Sequence, residues 1–238
     1  MKKIFFLVIL LGITAFAAED SSWKHESEAS VVQVGGNTTS ESYSAKQKTS
    51  YKIETHVLTG SARYLQAKAN QLETAKQWDA SLRYEKELGE KWGVFLQHGA
   101  ENDTFAGYVQ RDNTDMGGKY FFLKEADRNF FGELGYRYTK TQFVAGDVSF
   151  SNSARVYLEY GVKLNESVTG KIWLEYLPNL KSSESDDYLL NYEPSINVMM
   201  NQILSLKVSY LVKYHNKTKT DSEKKEDTTF TTALVAKF

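Results

Sequence analysis

The feature that most constrains this chain is an alternation of apolar and polar side chains that returns along most of its length. Between 204 and 214, Leu204, Leu206, Val208, Tyr210, Val212 and Tyr214 interleave with Ser205, Lys207, Ser209, Leu211 and Lys213. Val156, Leu158, Tyr160, Val162 and Leu164 interleave with Arg155, Tyr157, Glu159, Gly161 and Lys163. Val168, Gly170, Ile172, Leu174 and Tyr176 do the same with Thr169, Lys171, Trp173 and Glu175. Residues 43–54, 78–85 and 130–138 repeat the pattern less cleanly. Successive strand side chains point to opposite faces, so each segment predicts a strand with one apolar and one charged face.

A soluble sandwich would also alternate. Three features select a closed transmembrane barrel instead. The segments run to about 10–13 residues, the length a tilted strand needs to cross a bilayer. Short connections near 54–56, 89–91, 124–129, 165–167 and 201–202 alternate with long ones near 35–42, 68–76, 103–113, 139–153, 178–187 and 215–227. That is the turn and loop asymmetry of outer-membrane barrels, and it predicts about 12 antiparallel strands with both termini at the short-turn end. Weak alternation in the third, fifth and sixth strands leaves ten and fourteen open. The chain also ends in a strand, whose outward series is Phe230, Thr232, Leu234, Ala236 and Phe238. A terminal aromatic of this kind resembles the signature read by the barrel-assembly machinery. Tyr43, Tyr51, Tyr138, Tyr176, Tyr188 and Tyr214 fall near strand ends, where interfacial girdles lie. Pro194 is a misfit, because inside a strand it removes a ladder hydrogen bond unless a bulge accommodates it.

The N-terminus reads as an export signal covering residues 1–17, with the barrel domain at 18–238. Lys2 and Lys3 precede an uncharged apolar run from Ile4 to Phe16, too short to span a bilayer, and Ala15 and Ala17 frame the expected cleavage site. The 238 residues contain no cysteine, which excludes disulfides, thiol catalysis, a Cys zinc site and a lipidated N-terminal cysteine. With 29 Lys+Arg against 30 Asp+Glu there is no basic field for nucleic acid.

Several short motifs, taken in order, carry a family resemblance. They are Gly36-Asn37-Thr38, Trp78 through Tyr84, Asp103-Thr104-Phe105-Ala106-Gly107, Glu133 through Tyr138, and Lys225 through Phe238. The chain resembles the salt-induced outer-membrane protein family, domain of unknown function 481, over roughly Trp23 to Phe238. It departs in having Lys-Glu-Asp-Thr at 225–228, where that family usually has Lys-Thr-Asp-Thr. The resemblance implies an outer-membrane barrel of a Gram-negative bacterium and implies no chemistry.

Motifs for hydrolysis, nucleotide binding or metalloprotease chemistry are missing. His98, near Asp103, and His215, near Asp221 and Asp227, are the candidates for a hydrolase at the barrel rim; a solvated histidine is the simpler reading. Asp103, Phe105 and Gly107 read as a loop anchor, and Glu184 to Asp187 as a solvated loop, with weak calcium binding as its alternative. The inward face is more informative. Lys46, Lys48, Lys52, Arg83, Arg137, Arg155, Lys163, Lys171, Lys207 and Lys213 share it with Glu54, Glu85, Glu133, Glu159, Glu175 and Glu193; Asp79 and Asp187 lie at strand ends. Two readings stay open. The charges pair into a ladder that stiffens a barrel of structural or envelope-stress role, or the surplus cations line a water path favouring small anions. No enzyme, cofactor or metal is expected. The expected partners are outer-membrane lipid, the barrel-assembly machinery and small anionic solutes, for a monomer.

Overall fold

The computed structural model describes residues 22–35, 39–181, 183, 186–217 and 224–238. The export signal therefore lies outside the described residues, as do Gly36-Asn37-Thr38 and Glu184-Ser185. The chain forms twelve strands: β1 (Trp23–Val34), β2 (Ser40–Ile53), β3 (His56–Ala69), β4 (Leu72–Glu87), β5 (Trp92–Asp103), β6 (Tyr108–Lys124), β7 (Arg128–Phe143), β8 (Val148–Lys163), β9 (Val168–Pro178), β10 (Tyr188–Met199), β11 (Leu204–His215) and β12 (Glu226–Lys237). Each pairs antiparallel with its chain neighbours, and β12 returns to β1 to close the barrel. No helix among the described residues is long and apolar enough to cross a membrane, which says nothing about a barrel.

Period-two patterning sorts the side chains inside out. Leu82, Leu96, Met116, Leu134, Ile172, Ile196, Leu206 and Leu234 stand exposed on the outer wall, while Asp115, Glu133, Arg155 and Lys207 are buried within. In water that inversion would be unstable; against hydrocarbon it removes apolar surface from solvent. Rings border this belt at both ends. Trp23 lies tilted against Tyr51, and Trp92, Tyr120, Phe122, Phe130 and Tyr160 form a chain of contacts at the turn end. Tyr176, Tyr188 and Tyr214 form another at the loop end, beside the Tyr138–Phe150 pair.

Two expectations need correction. The strands run from 11 to 17 residues, and several long connections are strand instead. Between β3 and β4 only Asn70 and Gln71 turn the chain, both at positive φ (49° and 69°), the conformation a two-residue hairpin turn requires. Residues 108–115 and 139–143 continue the ladder, but with polar side chains on both faces, which erases the alternation that marks a strand. Pro194 pairs with Ile172 of β9, but the β10–β11 register skips from Tyr192↔Val212 to Ser195↔Ser209, so the interruption falls on the β11 side.

Candidate functional site

The lumen divides into two unlike halves. On the wall formed by β4 to β9, Arg155 Nη1 donates to Glu133 Oε2 at 2.7 Å and Nε to Glu175 Oε1 at 2.7 Å, with Asp115 Oδ2 at 3.6 Å. Arg137 grips Asp115 through two parallel bonds of 2.6 and 2.7 Å and reaches Glu175 at 3.0 Å. Arg83 reaches Glu133 at 2.6 Å and Glu85 at 2.5 Å, and Lys119 adds Glu85 at 2.9 Å. Bidentate guanidinium pairs of this sort are among the stronger charged contacts, and here each carboxylate serves more than one cation. The rings of Phe95 and Phe131 lie under Arg83 and Lys119 at 4.2 and 4.1 Å.

Two glycines permit this packing. Gly117 and Gly135 face each other across β6 and β7, between Asp115 and Lys119 on one strand and Glu133 and Arg137 on the other. A Cβ on Gly117 would run into the Leu134 carbonyl and the Gly135 Cα, so side chains are excluded where the guanidinium groups cross.

The other half, β10 through β12 and β1 through β3, is sparser. Glu28 sits between Lys46 at 3.4 Å and Lys207 at 3.2 Å, and Lys207 also meets Glu193 at 3.3 Å. Arg63 pairs with Asp79 at 2.6 Å. Glu28, Lys46, Arg63, Glu193 and Lys207 together line a cavity of about 70 Å³. Elsewhere Lys171 lies 3.7 Å from Glu159, and Lys237 3.0 Å from Glu26. Among the described residues, Lys48, Lys163 and Lys213 have no carboxylate oxygen within 4.0 Å. Among the described residues, each ion pair of lumen groups joins strands no more than three apart, the longest reach being Arg83 of β4 to Glu133 of β7.

The other sequence candidates separate from this network. Phe230, Leu234 and Phe238 are exposed on the outer wall, with Thr232 and Ala236 between them, whereas Ala233 and Val235 are buried inside. Asp103 Oδ1 accepts the Phe105 and Ala106 amides at 3.1 and 3.0 Å, and Gly107 takes positive φ at 86°, so this motif ties a tight connection. His98 bonds Thr114 on the outside, in line with Leu96 and away from Asp103. His215 Nε2 meets Asp187 Oδ1 at 2.7 Å at the loop end. Among the described residues no serine hydroxyl bonds either histidine, and no cluster of His, Asp or Glu forms a metal site.

Sequence reading missed Asp115, Lys119, Arg63, Glu28 and Glu26. These lie on β6, β3 and β1, where the alternation is weak, and only their registers reveal them: Asp115↔Arg137, Lys119↔Glu133, Arg63↔Asp79, Glu28↔Lys46 and Glu26↔Lys48.

The family described as "Protein of unknown function, DUF481" matches residues 27–238. No curated protein matches the chain. Among solved structures it is similar to the NanC porin, with 12% identity, TM-score 0.55, and 89% of this chain and 98% of that one covered. It is equally similar in fold to the COG4313 outer membrane channel from Pseudomonas putida F1, with 10% identity, TM-score 0.55, and 94% and 98% covered. The translocator domain of the autotransporter NalP from Neisseria meningitidis follows at 10% identity and TM-score 0.50, with 93% and 90% covered. At these identities the likeness is one of fold: an outer-membrane-type β-barrel.

Proposed function

Because the chain belongs to the DUF481 family, whose description assigns no activity, we propose its role from the lumen: it is a narrow outer-membrane passage for small anionic solutes. The observation that carries this reading is the direction of the ion pairs. Among the described residues they run along the wall between strands at most three apart, and no ion pair within 4.0 Å joins opposite walls. Lys48, Lys163 and Lys213, which among the described residues have no carboxylate oxygen within 4.0 Å, supply the positive surplus, as rings of basic side chains do in anion-selective pores. In this reading residues 1–17 are removed on export, Phe230 to Phe238 present the assembly signature, and the protein works as a monomer in a Gram-negative outer membrane without cofactor or catalysis.

Single-channel conductance of the refolded protein in a planar bilayer, with reversal potentials under a salt gradient, tests this. Anion-selective steps are expected, and Lys163→Glu with Lys171→Glu should reverse the selectivity. A silent bilayer from protein whose unboiled gel mobility shows a folded barrel would leave the paired wall as a stiffener. The role would then be structural.

A further inference from the structure

The lumen holds a line of rings as well as charges. Phe121, Phe131, Tyr157 and Trp173 share the inward faces of β6 to β9 with Lys119, Glu133, Glu159 and Glu175. Each ring touches the next, with centroids 5.7, 5.9 and 6.1 Å apart. Cations cover the first three. Lys119 lies over Phe121 at 5.0 Å and over Phe131 at 4.1 Å, and Arg155 lies over Tyr157 at 5.0 Å. Among the described residues no cation lies over Trp173, although indole is the ring that attracts one best. The last two rings are fixed by their polar ends. Tyr157 donates its hydroxyl to Glu159 at 2.7 Å, and Trp173 donates Nε1 to Glu193 at 3.2 Å. Trp173 thus ends the line half-buried, held at one edge.

Lys48 stands on the other side of the lumen. Its strand, β2, is five strands from β9 by the shorter way round the ring of twelve, and directly opposite β8. The charges that act on Lys48 come from Lys171 and Glu159 on that far wall and from Glu26 and Lys46 beside it. All four are already matched: Lys171 with Glu159 at 3.7 Å, Glu26 with Lys237 at 3.0 Å, and Lys46 with Glu28 at 3.4 Å. Glu193, beneath Trp173, is likewise taken by Lys207 at 3.3 Å. Among these groups Lys48 is the cation left over, with no carboxylate oxygen within 4.0 Å among the described residues. Lys48 and Lys171 point inward and are still exposed, so open space separates the two walls at this level.

We propose that this gap binds a planar aromatic carboxylate, its carboxylate on the Lys48 ammonium and its ring on the open face of Trp173. The surplus charge sets the sign of the ligand, and a carboxylate satisfies it by a charge-assisted hydrogen bond. The uncovered indole selects a flat apolar body, because offset ring stacking adds to what the charge contributes. A small inorganic anion would meet Lys48 alone and leave the indole bare. The site deepens the anion-passage reading by naming a solute class, and rests on that reading only for the ligand being a cargo.

Tryptophan emission reads this site directly, because the other three tryptophans, Trp23, Trp78 and Trp92, are exposed on the outer wall. The refolded protein, in detergent that leaves both mouths open to solute, is titrated with 4-nitrobenzoate, a quenching aromatic carboxylate. A saturable component is expected that disappears in Trp173→Phe. Lys48→Gln, a change at an exposed side chain, should raise half-saturation about tenfold, the loss of one charge-assisted contact. Linear quenching alone, equal in the parent protein and in Trp173→Phe, would overturn the site. Neutral 4-nitrobenzamide saturating at the same concentration would overturn the role of Lys48. Displacement by cyclohexanecarboxylate as effective as by benzoate would overturn the ring stacking. Conductance of the same preparations keeps the two proposals separable. Anion-selective steps without saturable quenching remove the site and keep the passage, whereas saturable quenching with a silent bilayer keeps the site and removes the passage.

Discussion

The β4–β9 wall and the β10–β3 half are built from the same strand pattern and hold charge in opposite ways. On the first, arginines dominate and carboxylates are shared; Asp115 is 1% exposed and Arg155 and Glu133 each 5%. On the second, lysines dominate around a cavity, and the Lys46 side chain is 37% exposed. Planar guanidinium groups hold two carboxylates at once and suit a dry, fixed network, whereas ammonium groups stay hydrated. The difference teaches that inward charge alone does not define a pore. Side-chain geometry decides which part of the wall is mortar and which part meets water.

That contrast can be broken by substitution. Arg155→Met removes the one cation that touches Glu133, Glu175 and Asp115 together, leaving Arg83 and Arg137 to hold three buried carboxylates, and should cost about 3–5 kcal/mol, read as a lower urea midpoint of the refolded barrel. An unchanged midpoint would mean the network is wetter than its burial indicates. Gly117→Ala should cost about 1–3 kcal/mol in the same assay, since its Cβ meets backbone, whereas Gly161→Ala, with open space around it, should be near neutral. Asp103→Ala removes the two amide contacts of the β5–β6 connection and should cost about 1 kcal/mol, with earlier protease nicking there. Lys46→Gln should change stability by less than about 1 kcal/mol and instead lower anion preference in conductance. If Lys46→Gln destabilised as much as Arg155→Met, the two halves would not differ.

The sequence made the barrel legible where strands cross the apolar belt. Residues 155–164 and 204–214 alternate because one face meets hydrocarbon and the other meets charge. The same rule failed on β6, where bulges at Tyr108/Gln110 and Phe121/Leu123 shift the face and residues 110–115 are polar on both faces. Asp115 and Lys119 were invisible for that reason, although they pair with Arg137 and Glu133 that alternation did reveal. The wall-hugging direction of the ion pairs was not legible at all. It depends on curvature and on the Gly117–Gly135 contact, which join residues from separate strands. The export signal stays an expectation from residues 1–17 alone.

The short β1–β12 ladder has a further consequence, for the order of assembly. Every other pairing joins chain neighbours, whereas closure joins Glu26 to Lys237 and must gather the ends of the whole sheet before any contact repays the entropy of the loop. Eleven hairpins can zip locally, each on its own clock. The ring is then held by a clasp at one rim, from His25 to Ala29 against Leu234 to Phe238. Like a bracelet, such a structure is linked first and fastened last, and its fastening can open without straining any link.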